Sequence, residues 1–299
     1  MPDRRPARAL PLEAHNAFFD AIADDYDVWD RGLHGRLAER LVDLVEPARG
    51  EVALDVGCGT GLLTSLIAER VGPEGSVIAL DPSERMLEKA RARGLPNTSY
   101  LKSSVEGPLW FRDETFDLLT FCDSLTFLPE PERTIADAWR LLRPGGRIAL
   151  AVARRGLATA AQELYLRHLS RIVEQTSLVL PAPEESWAGE PEVLEPWLLA
   201  AGFRPPLLRT FVTGHRAASA SEWLEGLAPT SLRTHFVVRV CGPVVRRRFE
   251  EEIERAMEPL GDDGLRHHEA FTLATAEKEE EEDASRSQAE RSSTASGRR

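Results

Sequence analysis

Between about residues 50 and 153, short runs dense in apolar and β-branched residues alternate with windows whose apolar positions recur at helical spacing. "EVALDVG" (51–57), "SVIALD" (76–81), "TSYL" (98–101), "FDLLTF" (116–121) and "RIALAVA" (147–153) read as buried strands. Leu62, Leu63, Leu66 and Ile67 share one helical face, as do Met86, Leu87 and Ala90. A third stripe, Ile135, Trp139 and Leu142, begins after Pro131 at a first-turn position and ends at "RPGG" (143–146). Strand–helix alternation of this kind predicts a parallel sheet covered on both faces. Ligands of such sheets bind at the carboxyl ends of the strands, so the turns after 56, 81 and 121 converge on one crevice.

Outside that stretch the periods change. Residues 15–46 read as helical, with Leu37, Leu41, Leu44 and Val45 as the apolar stripe. Downstream, 157–180 is a long helix candidate, and "EVLEPWLLAAGF" (192–203) reads as a helix stopped by Gly202. "PLLRTFVTG" (206–214) and "HEAFTLATA" (268–276) look like strands flanking a helical insertion, 217–260. The segment 277–299 is charged and Ser-rich, and reads as a disordered acidic tail.

Charge narrows the partners. The formal net charge is −12, and the tail holds only seven acids against five bases, so the body itself is acidic. A body of that sign repels phosphate backbones, which argues against nucleic acid. Arg246 to Arg248 sit four residues before Glu250 to Glu252, a self-neutralised helix face. There is no apolar run of membrane-spanning length and no signal-peptide pattern, so no membrane insertion is expected. Cys58, Cys122 and Cys241 are scattered without metal-ligand spacing and read as reduced thiols in a cytoplasmic protein; no metal is expected.

The chemistry concentrates in "ALDVGCGTGLLT" (53–64). Its glycines, Gly57, Gly59 and Gly61, do not match a dinucleotide fingerprint, whose third glycine would fall at Leu62. Asp55 stands where a pyrophosphate would meet a carboxylate, a repulsion worth about a few kcal/mol at close range. A cation would be attracted. Asp81, at the end of the second strand, is placed to accept hydrogen bonds from two ribose hydroxyls. The ligand indicated is a ribose-bearing cation.

At these residues the sequence resembles the class I methyltransferases that use S-adenosylmethionine (SAM), in the small-molecule branch that includes ubiquinone/menaquinone and natural-product enzymes. "LDVGCGTG" is similar to their first motif, and "ALDPSERMLEKAR" (79–91) to the second-strand acid with its helix. "FDLLTFCDSLTFLPEPERTIADAWRLLRPGGRIALAV" is similar to their fourth- and fifth-strand segments, and "FFDAIADDYDVWD" (18–30) to the amino-terminal cap. The resemblance implies an α/β fold, a doubly wound seven-stranded Rossmann-like sheet with a reversed last hairpin. It also implies cap helices over 1–45, a SAM-binding domain over 46–276, and helical lid insertions at about 157–200 and 215–260.

By the same resemblance, Gly57, Gly59 and Gly61 line the methionine and ribose portion, Asp55 meets the amino group and Asp81 the ribose. Pro82 and Met86 flank the adenine, Ser104 and Val105 read its edge, Phe121 and Cys122 sit beside the donor, and Tyr26 lies near its methyl end. The implied activity is in-line methyl transfer to carbon, nitrogen or oxygen of a small, partly apolar acceptor, most simply an aromatic or heteroaromatic natural product. The alternatives are a macromolecular (protein or RNA) methyltransferase and a non-catalytic SAM-binding protein. Tyr26, His215 and His235 are the candidate catalytic groups, since histidine titrates where a proton acceptor is useful. His34 reads as a capping or rim residue of the following helix. Cys122 could serve as a nucleophile or as a packed thiol, and Trp223 as a pocket wall or a core residue. Lid helices in this group often pair subunits, which makes a homodimer a candidate assembly.

Overall fold

The computed structural model describes residues 12–103, 109–154, 159–176, 187–227 and 243–279. Among them, β1 (Val52–Val56), β2 (Ser76–Asp81), β3 (Thr98–Lys102), β4 (Phe116–Cys122), β5 (Leu142–Ala153), β6 (Leu207–Arg216) and β7 (Arg266–Glu277) form one sheet, ordered β3-β2-β1-β4-β5-β7-β6. The first five strands pair in parallel, and β7 runs antiparallel to both β5 and β6. The expected doubly wound α/β sheet with a reversed last hairpin is therefore present. Strand order reverses between β1 and β4, and this switch point opens the crevice at the carboxyl edge.

Period-2 alternation sorts the strand residues into two apolar layers. Leu54, Val56, Leu119 and Phe121 face α5 (Pro131–Leu141) and α7 (Pro191–Ala201), packing with Ile135, Leu141, Leu194 and Leu198. Ala53, Leu118, Ala149 and Ala151 face α2 (Trp29–Val45) and α3 (Leu62–Val71), against Leu37, Leu41, Leu63 and Ile67. Each of these leucines is buried, a contribution of roughly 1.5–3 kcal/mol apiece before entropy is counted. Two further helices flank the crevice: α1 (Leu12–Ile22) and α4 (Glu84–Ala92), whose Phe18, Ile22 and Met86 share a small cluster.

Three features depart from the sequence reading. The stretch 15–46 is not one helix. It breaks over 23–28, where Asp25 N–H bonds Ile22 O and Val28 N–H bonds Asp25 O, so the aspartate-rich "DDYD" forms a turn. The tail begins later than expected, because Lys278 is buried. Its Nζ donates to Leu142 O at 2.8 Å and lies 4.2 Å over the Trp139 ring, which offsets the cost of burying an ammonium. Residues 280–299 lie outside the described residues. The insertion has its own core. α6 (Ala160–Thr176), α8 (Ala220–Leu227) and α9 (Pro243–Met257) enclose Tyr165, Trp223, Phe249 and Ile253, so Trp223 packs between helices rather than walling a pocket.

Candidate active site

The site starts where β1 ends. Gly57, Gly59 and Gly61 hold φ of 72°, 56° and 80°, the left-handed region that side chains resist. At Gly57 the constraint is doubled, since a Cβ there would stand 2.4 Å from the Ser124 Cβ. The turn is tied to β2 by two amides, Gly57 N–H and Cys58 N–H, both donating to Leu80 O. A Cβ on Gly59 would meet only the Tyr26 ring, at 3.7 Å, so this face of the turn is bare backbone.

Two carboxylates flank it. Asp55, 1% exposed, accepts from Thr64 Oγ1 at 2.6 Å and from Thr120 Oγ1 at 2.8 Å. Thr120 is its register partner on β4, a neighbour the sheet supplies. Burial pushes the Asp55 carboxyl up, and the two hydroxyl bonds oppose that shift. A carboxylate has about four acceptor positions, so two remain on Asp55 for an ammonium. Asp81 accepts from Gly59 N–H at 2.8 Å and Ser83 N–H at 2.9 Å, binding the end of β2 to the glycine turn. Burial raises its carboxyl to about 6, while the Ser83 and Gly59 amides pull it back down.

The turn after α1 closes over this arrangement. Asp27 accepts from Thr60 Oγ1 and from Arg93 Nη2, and Arg93 Nε donates to Thr60 O at 2.6 Å. Asp20 accepts from Ser83 Oγ, and Asp24 pairs with Arg85 and Lys89. Acids spaced along α1 and its turn thus meet bases spaced along α4 and just beyond it. Beneath them Tyr26 stacks on His34, ring centroids 4.2 Å apart and 18° from parallel. Burial, with Asp123 and other nearby acids, pushes the Tyr26 phenol well above its usual range, which keeps it neutral. Tyr26, His34, Asp55, Gly57, Cys58 and Cys122 line a cavity of about 20 Å³, room for a water molecule.

The structure brings together Tyr26, Asp55, Gly57, Gly59, Gly61, Asp81 and Cys122. Pro82 follows Asp81 at the same edge, and Met86 is buried under α1. Phe121 is elsewhere: its ring lies in the α5/α7 layer, because neighbours on a strand point to opposite faces and Cys122 takes the crevice side. Ser104, Val105 and His235 lie outside the described residues. His215 sits in β6 opposite His267, far along the sheet from β1, and nothing is described of its side chain. Sequence reasoning missed Thr64, Thr120, Asp27, Arg93 and the position of His34 in the cavity wall. The adjacency of Asp27 to Tyr26 was the one signal available for the clasp. Burial also raises the Cys122 thiol well above its ordinary value, the state of a packed thiol and not of a nucleophile. Among the described residues, no three His, Cys, Asp or Glu side chains cluster as a metal site.

A family model described as a methyltransferase domain matches residues 54–150, from β1 to β5. The chain is 39% identical over 136 residues to nocamycin O-methyltransferase of Saccharothrix syringae, covering 44% of this chain and 48% of that protein. It is 38% identical over 135 residues to aklanonic acid methyltransferase DauC of a Streptomyces species, covering 44% of this chain and 61% of that one. A ubiquinone/menaquinone biosynthesis C-methyltransferase of Idiomarina loihiensis is 29% identical over 178 residues, 56% of this chain and 70% of the relative. The chain thus spans about half to two thirds of the length of these relatives. Among solved structures, phosphoethanolamine N-methyltransferase 2 of Haemonchus contortus superposes with a TM-score of 0.51 at 16% identity, over 90% of this chain and 58% of that one. The YcgJ protein of Bacillus subtilis superposes with a TM-score of 0.53 at 16% identity, over 82% and 99%. At such identities these two likenesses concern the fold alone.

Proposed function

We propose that this chain, whose residues 54–150 match a methyltransferase-domain family model, transfers a methyl group from SAM to a small, partly apolar acceptor. The observation that carries the reading is the pairing of Asp81 with Gly59 N–H beside the buried Asp55 carboxylate. A bare turn between two carboxylates fits a ribose with a positively charged side arm and repels a pyrophosphate. Asp81 would hold the ribose hydroxyls, Asp55 the amino group, and Gly59 the space beneath, with Pro82 and Met86 toward the adenine. When bound, SAM supplies an electrophilic methyl on a positively charged sulfur.

The protein's part is alignment and exclusion of water. Holding acceptor, methyl and sulfur in line can contribute roughly 7–11 kcal/mol. Tyr26 and His34 border the cavity on the side where a methyl group would emerge, and the Asp27–Thr60–Arg93 clasp fixes the cap above them. The part of the cap that lies over the glycine turn is α1 with the turn 23–28, held by the Asp20–Ser83 and Asp27–Thr60 contacts, and we assign to it the opening that admits SAM. The described helices of the insertions that pack apart from the sheet core, α6, α8 and α9, are the ones we assign to an acceptor lid, whereas α7 belongs to the core layer. The names of two relatives, nocamycin O-methyltransferase and aklanonic acid methyltransferase, support a small-molecule acceptor, and we read it as an aromatic or heteroaromatic natural product. We read the protein as cytoplasmic and independent of nucleic acid, given the net charge of −12 and no described helix long and apolar enough to cross a membrane. A homodimer is the assembly we favour.

Titration calorimetry with SAM and with NAD tests the donor. SAM binding without NAD binding is expected, and the reverse would overturn the reading. Transfer of labelled methyl from SAM to a panel of small aromatic and heteroaromatic molecules that includes aklanonic acid would then identify the acceptor class. Turnover excludes a protein that only binds SAM.

A further inference from the structure

We propose that Arg93 is a positioning residue for the methyl donor: by holding Asp27 it fixes the Tyr26 ring over the glycine turn, and so sets how long SAM stays bound. This rests on the SAM-dependent reading above and goes beyond it by assigning retention of the donor to one side chain at the end of α4.

Arg93 caps α4, its own N–H donating to Ala90 O at 3.1 Å. From there its side chain runs back across the glycine turn. Its Cδ lies 3.4 Å from the place a Gly61 Cβ would occupy, so the arginine stem packs where the turn carries no side chain. Nε donates to Thr60 O and Nη2 to Asp27 Oδ2, each at 2.6 Å. These two nitrogens form one edge of the guanidinium, a rigid fork whose prongs here reach two separate segments, the turn and the cap. Asp27 completes the ring with its other oxygen, which accepts from Thr60 Oγ1. Thr60 thus has its carbonyl held by the arginine and its hydroxyl held by the arginine's partner.

The residue that the clasp places is Tyr26, next to Asp27 in the chain. Its ring stands 3.7 Å from where a Gly59 Cβ would be, and stacks on His34 behind it. Tyr26 therefore covers the bare backbone assigned to the ribose and its charged arm. The remainder of the cap is attached elsewhere. Asp20 accepts from Ser83 Oγ and Arg85 N–H at the start of α4, Asp24 pairs with Arg85 and Lys89, and Phe18 and Ile22 pack with Met86. Loss of Arg93 frees the turn 23–28 while α1 keeps these anchors. The Arg93 and Asp27 side chains are 25% and 44% exposed, so dissolved salt reaches the pair and weakens it.

The test uses the full chain with Arg93→Met and Arg93→Lys. Methionine keeps the stem and has no donor; lysine keeps the charge but brings one head to two acceptors. Surface plasmon resonance of SAM over the immobilised protein gives both rate constants. Dissociation should quicken about tenfold in Arg93→Met and about threefold in Arg93→Lys, with association within about twofold of wild type. Raising salt from about 0.05 M to about 0.5 M should quicken dissociation about threefold in the wild type and leave Arg93→Met unchanged. Arg70→Ala, which removes the partner of Asp43 on α2, controls for net charge and should match the wild type. The chain has three tyrosines, so fluorine NMR of protein carrying 3-fluorotyrosine resolves Tyr26, assigned with Tyr26→Phe. In the ligand-free Arg93→Met protein its resonance should move toward the value of an exposed tyrosine. A purely structural arginine would lower the unfolding midpoint and leave both readouts in place. Should Arg93→Met fail to fold by circular dichroism, Asp27→Asn replaces it, with about threefold faster dissociation and the same Tyr26 shift expected. Dissociation within twofold of wild type, or an unmoved Tyr26 resonance, overturns the proposal. Absence of SAM binding by the wild type would instead overturn the donor reading on which it rests.

Discussion

The β1–β4 crevice and the α6–α8–α9 insertion are built on opposite logics. In the crevice, the backbone sets the geometry: three left-handed glycines, two buried carboxylates, and the Gly59 and Ser83 amides bonding Asp81 while the Gly57 and Cys58 amides bond Leu80 O. In the insertion, stability comes from aromatic packing of Tyr165 with Trp223 and Phe249, and the outer face is a solvated ladder such as Arg248–Glu252. The first region tolerates little change because geometry and charge are set together. The second tolerates what preserves volume. Chemistry is therefore readable in the first region and only packing in the second.

Trp223→Ala probes the insertion with the largest expected effect. Removing a 1%-exposed indole should cost roughly 3–5 kcal/mol in denaturant unfolding, while SAM affinity stays within threefold. A tenfold loss of SAM affinity would show that the two regions are coupled. Gly57→Ala comes next, at roughly 2–4 kcal/mol with loss of detectable SAM binding, because the added Cβ meets Ser124 at 2.4 Å in a left-handed residue. Its control is Gly261→Ala beside the insertion. That glycine has a φ of 58° but nothing within 4 Å, so about 1 kcal/mol is expected, with binding intact.

Asp81→Asn should weaken SAM binding about tenfold, or about 1.4 kcal/mol, and cost about 1–3 kcal/mol in unfolding, because Oδ1 and Oδ2 each accept a backbone N–H and an amide offers only one acceptor. The pH dependence has a defined sign. The folded carboxyl titrates near 6 against 3.8 for the free group, so the folded state holds the proton more tightly. Its contribution to stability therefore declines as pH rises from about 4 to about 6. SAM affinity runs the other way, flat above about 7 and weakening as pH falls through about 6, since the ribose needs the ionised carboxylate. Calorimetry across that range should show the trend, and Asp81→Asn should flatten it. The smallest effect belongs to Arg248→Ala, expected within about 0.5 kcal/mol, as for an exposed i,i+4 pair.

The crevice was legible because its constraints are local. Glycines at alternate positions, an acid just before them and an acid ending the next strand are contiguous marks, and the strands expected at 51–57 and 76–81 are observed at Val52–Val56 and Ser76–Asp81. The helix break at 23–28 was not legible, because "IADDYD" carries no glycine or proline and its turn exists to bring Asp27 to Thr60 and Arg93. Lys278 was misjudged for a similar reason. A lysine in an acidic run looks solvated until the Trp139 ring, distant in sequence, is placed beneath it.

From one dimension, then, came the α/β class, the glycine turn with its two acids, and the strands within about two residues at each end except β5, which begins at Leu142 where a helical stripe and its stop were expected. Periodicity, glycine and charge are properties of neighbours in the chain, and they suffice for these. The partners of Asp55, the clasp over the glycine turn and the approach of His34 to Asp123 were decided only in three dimensions. Each joins residues from separate elements, and no spacing along the chain encodes which side chains a sheet's register and a cap's closure will bring face to face.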